Sequence, residues 1–326
     1  MHAVRLHSFG PAENLRLEEV PDPEPAAGEV RIAVAAAGVH LVDTTIRAGD
    51  APGPFALPEL PTIPGREVSG TVESVGAGVD RSWLGRRVVA HLGQASAGYA
   101  EQAVAAVESL HEVPDGLDHA VAVAAIGTGR TAVAILEQAA PTADDVMLVT
   151  SAAGGLGSLF VQAGREVGAT VVGLAGGPAK VDRVRDLGAD LAVNYLKPGW
   201  DRQVRDTLGE REVTLVLDGV GGEAGRTALE LVAPGGRIVF FGWSSGKPTT
   251  LSMMDLYTYG FTASVAIGRR LTQRPGGLRS LETEALQAAA SGRLVPVVQP
   301  FPLADAARAH RALETRGTIG KVVLVT

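Results

Sequence analysis

Residues 148–162 read LVTSAAGGLGSLFVQ. An apolar run meets a turn built of Ala and Gly, and a segment with helical apolar spacing follows. Gly154, Gly155 and Gly157 lack Cβ atoms, so the backbone here can turn sharply and approach a ligand closely. The helix expected over 155–168 would offer unpaired N–H groups and the positive end of its dipole to a phosphate. Taken alone, such a stretch is only a tight turn. Its surroundings decide the matter. A strand at 145–150, the glycine turn, the helix and a second strand at 170–175 fall at the spacing of a dinucleotide-binding βαβ unit.

Working outward, strands are expected at 145–150, 170–175, 190–194, 213–218 and 236–242. Segments with helical spacing lie between them, at 155–168, 178–187, 200–208 and 222–232. Strands alternating with helices imply right-handed crossovers and a parallel sheet. Residues 1–110 read differently. EVRIAVAAAGV (29–39), REVSGTVESVG (66–76) and RRVVAHL (86–92) are β-rich runs separated by Gly and Pro clusters. HLVDTTIRAG (40–49) is a short helix ending at Gly49, and an Ala-rich helix fills most of 118–139. The tail returns to mixed structure, with a strand near 260–266, a helix near 278–291 and a terminal run GKVVLV. The βαβ block is therefore inserted between two parts of another domain, with divisions expected at 1–118, 119–266 and 267–326.

Composition narrows the class. The chain has 326 residues, 46% hydrophobic and 20% charged, with net charge -7 and no cysteine. Length alone suggests about two domains. The acidic balance argues against nucleic acid and anionic membrane as partners. No run is expected to span a membrane, and MHAVRLHSFG carries no signal-peptide core. Without cysteine there is no disulfide, thiol nucleophile or thiolate-bound zinc. A cytoplasmic location is the default expectation.

Cofactor type follows from the end of the second strand. An NAD site usually places Asp or Glu there, to bond the ribose 2′-hydroxyl. VVGLAGGPAK (171–180) has no acid, and Lys180 is the first charge after the strand. A 2′-phosphate would be attracted by Lys180. The alternative, an ordinary solvated lysine, is disfavoured because a cation in the first turn opposes the helix dipole. NADP(H) is the expected cofactor.

Several stretches together resemble a known family. They are AAGVHLVDTTIRAG (36–49), PGREVSGTVESVGAGV (64–79), GRRVV (85–89), GTGRTAV (127–133), SAAGGLG (151–157), LGADLAVNY (187–195), VLDGVGG (216–222), GGRIVFFGWSSG (235–246) and GTIGKVVLV (317–325). The chain resembles the zinc-free, zeta-crystallin-like quinone oxidoreductases of the medium-chain dehydrogenase/reductase superfamily over essentially its whole length. The resemblance implies a Rossmann doubly wound parallel sheet inserted into a partly β-barrel, GroES-like catalytic domain.

It also implies roles by position. Ala153, Gly154, Gly155, Leu156 and Gly157 would hold the pyrophosphate. Lys180 and Tyr195 would flank the 2′-phosphate, with Arg316 joining from the tail. Phe241, Gly242 and Trp243 would border the nicotinamide ribose, and Thr131 would meet the carboxamide. Where zinc enzymes of this superfamily place Cys, His and Cys, the matching residues are His40, Arg66 and Gly127, a set that cannot hold zinc.

His40 opens a helix at the superfamily's active-site position. A histidine titrates near neutrality, so it could give a proton to a reduced acceptor, or simply hydrogen-bond. Asp43, three residues on, is its expected partner. The implied activity is NADPH-dependent, metal-free hydride transfer to a quinone or enone. An enoyl-thioester or other alkene reductase and a non-catalytic NADPH-binding protein are the alternatives. GRIVFFGW (236–243) and GFTASVAI (260–267) form an apolar sheet edge that needs a partner. That edge and the resemblance together imply a homodimer.

Overall fold

A computed structural model of the chain describes residues 1–51, 56–93, 96–268, 271, 273 and 277–326. The stretches 51–65, 91–102 and 244–275 thus each include residues outside the described ones. The chain divides into two compact units. The first is Met1–Thr128, Ala285–Ser291 and Val295–Thr326, and the second is Gly129–Glu284 with Gly292–Leu294. The first of these divisions lies at 128/129, within the helical stretch His119–Ala139. Residues 267–284 group with the second unit rather than with the tail.

The first unit begins with β1 (His2–Leu6) and β2 (Leu15–Glu19), an antiparallel pair. It continues with β3 (Glu29–Gly38), α1 (Leu41–Ala48), β4 (Glu67–Val75), β5 (Arg87–His91), β6 (Gln102–Ala106), β7 (Leu110–Glu112) and α2 (His119–Ala124). Alternation of buried and less buried residues along β3 is what a half-buried strand requires, and Val30, Ile32 and Val34 enter the core.

A π-turn at Ala125–Gly129 then leads into α3 (Arg130–Ala139). The stretch His119–Ala139 has the length and apolarity of a membrane span, which the sequence reading did not anticipate. Its most apolar window is 72% buried, as a core helix would be.

The second unit adds β8 (Val146–Val149), α4 (Gly155–Val167), β9 (Thr170–Ala175), α5 (Pro178–Asp186), β10 (Leu191–Asn194), α6 (Trp200–Leu208), β11 (Val213–Asp218), α7 (Gly222–Leu229), β12 (Val232–Phe240), α8 (Met253–Tyr259) and β13 (Thr262–Val265). The six strands pair in the order β10-β9-β8-β11-β12-β13, all parallel. This is the doubly wound order, with the switch point between β8 and β11, where such sheets bind dinucleotides at the carboxyl ends. The central strands β8, β9 and β11 are almost wholly buried, as a sheet covered on both faces demands. The helix expected over 222–232 ends at Leu229, and β12 starts at Val232, before the expected 236. A register irregularity against β11 between Val213 and Leu215 absorbs the early start.

The chain returns to the first unit with β14 (Val298–Pro302), a helix at Ala306–Glu314 and β15 (Lys321–Val325). The sheet there runs β14-β15-β3-β4-β5-β7, and β6 also pairs with β3. Its last strand thus lies beside β3, so residues from both chain ends share one core.

Candidate active site

In the second unit, Ser151 takes φ +49° where the chain leaves β8, and Gly154 caps α4 without any side-chain bond. The first N–H groups of a helix have no intrahelical partner, so those of Gly155, Leu156 and Gly157 are presented at this end. A Cβ on Gly157 would collide with the Ser151 carbonyl and the Ala152 backbone. Glycine is therefore demanded by close approach of helix to turn. Ala153 is 3% exposed. The turn has the bare, backbone-lined character a pyrophosphate requires, and it lies at the switch point.

The ends of β9 and β10 are adjacent because the strands pair in parallel. Lys180 is the third residue of α5, which Pro178 opens. Tyr195 follows β10, its N–H donating to the Ala175 carbonyl at 3.2 Å. Asn194 braces both turns, its Oδ1 accepting from Gly177 N–H and Leu196 N–H, each at 3.1 Å. The structure thus brings Lys180 and Tyr195 to neighbouring strand ends. Thr131 lies in the first turn of α3, just after the π-turn. Arg316 belongs to the first unit, beyond the helix Ala306–Glu314, with φ +54°.

At the end of β12 the three expected residues part company. Phe241 is 8% exposed, packs edge-on to Phe160 at 5.1 Å and covers Gly219. Its ring is core, leaving only its backbone for a ligand. Gly242 lies against the Gly219 carbonyl, and Trp243 is 57% exposed. The sequence reading missed the residue that organises these loops. Asp218, buried at the end of β11, accepts from Thr150 Oγ1 at 2.8 Å, Val220 N–H at 3.0 Å, Gly221 N–H at 3.2 Å and Thr249 Oγ1 at 2.6 Å. An acid closing an apolar strand before GVGG (219–222) is the signal that could have found it.

In the first unit, His40 caps α1. Its backbone N–H donates to Asp43 Oδ2 at 2.8 Å. The Asp43 N–H in turn donates to the His40 carbonyl at 3.0 Å. Asp43 is therefore bonded to the His40 backbone, and the carboxylate beside the ring is another one. Glu67 Oε1 lies 2.7 Å from His40 Nε2, and Lys321 Nζ lies 3.3 Å from Glu67 Oε2. Both are close contacts, and the one with His40 is an ion pair only when the ring is protonated.

Glu67 is completely buried at the start of β4. A Cβ on Gly38 or on Gly127 would strike its carboxylate, so two glycines clear the space it fills. Burial raises the Glu67 carboxyl, but the His40 ring and the Lys321 ammonium more than offset this and hold it well below its ordinary range. Burial also acts on Asp43, and is outweighed by His40 and by Arg66, whose Nη2 donates to Oδ1 at 2.8 Å. Tyr99, wholly buried, donates to Asp43 Oδ2 at 3.1 Å and stands 3.3 Å from His310 Nε2. Burial first, then Asp43, pushes the Tyr99 phenol well above its ordinary value.

The family model for the alcohol dehydrogenase GroES-like domain matches residues 26–140, and that for zinc-binding dehydrogenases matches 155–280. A quinone oxidoreductase of Pseudomonas aeruginosa is 32% identical over 99% of this chain and 98% of its own. A 2-haloacrylate reductase of a Burkholderia species is also 32% identical, with the same coverages. A mycobacterial protein solved with NADPH superposes with a TM-score of 0.85 at 33% identity, over the full length of both chains. The chain belongs to the quinone oxidoreductase branch of the medium-chain dehydrogenase/reductase superfamily, and it is an oxidoreductase.

The second model's description implies zinc. The positions that match zinc ligands carry His40, Arg66 and Gly127, and the room beside Gly127 is filled by the Glu67 carboxylate. Among the described residues no group of three His, Cys, Asp or Glu could hold a metal ion. The donor set does not fit zinc.

Proposed function

We propose that the chain is an NADPH-dependent reductase that passes hydride to a quinone or similar conjugated carbonyl acceptor, without zinc. The observation that carries this is the Ser151–Gly157 turn at the switch point, with Lys180 and Tyr195 at neighbouring strand ends and no acid after β9. When bound, NADPH supplies the hydride from nicotinamide C4. The chain's own residues bind and orient. The amides of Ala153–Gly157 receive the pyrophosphate, and Lys180 and Tyr195 flank the 2′-phosphate. Thr131 meets the carboxamide, and Gly242 and Trp243 border the ribose. His40 meets the acceptor, and Asp43 fixes the His40 backbone. The NADPH complex of the mycobacterial relative supports the cofactor, and the quinone oxidoreductase relative supports the acceptor.

Reduction of an activated alkene is the second reading, favoured by the 2-haloacrylate reductase relative. An NADPH oxidation assay over simple quinones and enones tests both. Turnover of quinones supports the first reading, and turnover of alkenes alone supports the second. Stoichiometric NADPH binding with no turnover of any acceptor contradicts both.

The chain is also proposed to act as a homodimer. Among the described residues β13 pairs only with β12, and Val265 is 56% exposed. Met253, Met254 and Tyr257 of α8, just before it, are 65%, 66% and 77% exposed. An apolar sheet edge of this kind calls for a pairing strand, and a symmetry mate supplies one.

A further inference from the structure

Asp218 closes β11 one residue past Leu217–Val149, the last pair that β11 makes with β8. It therefore stands at the carboxyl ends of the two central strands, at the switch point. The residue is 1% exposed, and its four donors are all uncharged. A carboxylate taken out of water without a cation beside it is costly. Such a group is kept for what it holds in place.

It holds three segments of the second unit. Oδ1 accepts from Thr150 Oγ1 and from the N–H groups of Val220 and Gly221, and Oδ2 accepts from Thr249 Oγ1. The Thr150 hydroxyl in turn accepts from Gly219 N–H at 2.9 Å. Thr150 immediately precedes Ser151, so the first segment is the entry to the glycine turn. The second is the turn 219–222. It is laced to the chain after β12, where Ser244 N–H donates to the Gly219 carbonyl at 3.0 Å and Ser245 N–H to the Val220 carbonyl at 2.8 Å. Gly222 N–H donates back to the Lys247 carbonyl at 2.8 Å. Thr249 ends this third segment. Glycine keeps the joint close. A Cβ on Gly225 would strike Thr249 Oγ1 and the Asp218 carboxylate, and one on Gly221 would strike the Lys247 carbonyl and Trp243. Trp243 thus rests on the turn whose amides Asp218 holds.

We propose that Asp218 is a positioning residue for the nicotinamide half of NADPH. In a doubly wound sheet the two mononucleotide halves lie on opposite sides of the switch point. Lys180 and Tyr195 follow β9 and β10, so the adenosine half belongs to that side and the nicotinamide half to the side of β11 and β12. Asp218 ties the pyrophosphate turn to both segments of the nicotinamide side and keeps them ordered before the cofactor arrives. A wall built in advance spares the binding energy that ordering it would consume. The adenosine half draws nothing from this brace. The inference rests on the NADPH reading of the second unit.

The test compares NADPH with adenosine 2′,5′-bisphosphate, which carries the 2′-phosphate and lacks the nicotinamide half. Asp218→Ala removes the shared acceptor from all three segments. By calorimetric titration it should weaken NADPH about tenfold and the bisphosphate less than about threefold. Asp218→Asn keeps an oxygen toward Thr150, Val220 and Gly221 and turns an N–H toward Thr249 Oγ1, so it should hold NADPH within about threefold of wild type. Equal losses of both ligands in Asp218→Ala would mean a general loosening of the second unit and overturn the proposal. So would an unchanged NADPH affinity, or an Asp218→Asn variant as weak as Asp218→Ala.

A second readout needs no ligand. In cofactor-free Asp218→Ala, amide hydrogen exchange should be about tenfold faster at Val220, Gly221 and 244–249, and unchanged in β9 and α5. Wild-type protection of those amides overturns the brace. Should Asp218→Ala fail to fold, Thr249→Val breaks only the contact to Oδ2. It should speed exchange across 244–249 and weaken NADPH about threefold, leaving the bisphosphate unchanged. A wild-type value of either exchange or NADPH affinity in that variant overturns the proposal. Failure of the cofactor reading would show separately, as no NADPH binding by wild type.

Discussion

Lys180 sits in the first turn of α5, where a cation is unfavourable unless something negative stands nearby. Lys180→Ala should cost about 1–3 kcal/mol of NADPH affinity and leave NADH nearly unchanged, as read by fluorescence titration. Equal losses for both cofactors would remove it from the phosphate site. His40→Asn keeps a donor, so quinone reduction should stay within about tenfold of wild type, or 1.4 kcal/mol. A much larger loss would make His40 an acid rather than a hydrogen-bond donor. His310 is a different case. Burial, aided by Arg47 and opposed by Asp43, lowers its ring to about 4. The unfolded chain takes up this proton first, near 6.5. The neutral ring's contribution is therefore complete above about pH 6.5, and about 3 kcal/mol of it is lost as pH falls to 4. Urea unfolding at pH 7 and pH 4.5 should show a smaller acid loss in His310→Phe than in wild type. An equal loss would contradict this.

At the scale of elements, the second unit was legible because its strands are short apolar runs between glycine turns and helical segments. β9, α6 and β11 lie where their periodicity places them, at 170–175, 200–208 and 213–218. The helix at 41–48 was legible from its cap and from Gly49, which takes φ +101°. The π-turn within 119–139 was not, since periodicity cannot register one extra residue inside an unbroken apolar helix. Nor was the pairing of Glu67 with Lys321. Each reads as a lone charge at the head of an apolar strand, and only the β15-β3-β4 order brings them together. Glu67 lies next to Arg66 inside a quoted motif, and a lone acid among apolar strand residues was the available signal. The exposed edge at β13 carries its own prediction. Val265→Lys places a charge in the pairing strand, so sedimentation at micromolar concentration should show wild-type dimers and monomeric variant. A monomeric wild type that binds NADPH normally would end the dimer proposal. A variant that stays dimeric would place the interface elsewhere.

For the whole molecule, the sequence was informative about architecture and poor about partners in space. The insertion of one sheet into another domain followed from the change in pattern near residue 145, and the strand order of the second unit is the doubly wound one. The first unit is closed by its tail, because β15 pairs with β3. No local pattern announces a pairing across so much chain. The same long-range closure builds the cluster around His40, with Lys321 arriving from the tail. That cluster fills with Glu67 the room beside Gly127, where a metal ligand would have to project, and this underlies the claim of metal-free chemistry. The most direct test is NADPH oxidation with a simple quinone by protein freed of metal and held in chelator. The account predicts the rate of untreated enzyme and no stoichiometric zinc. Activity that disappears on metal removal and returns with added zinc would contradict it.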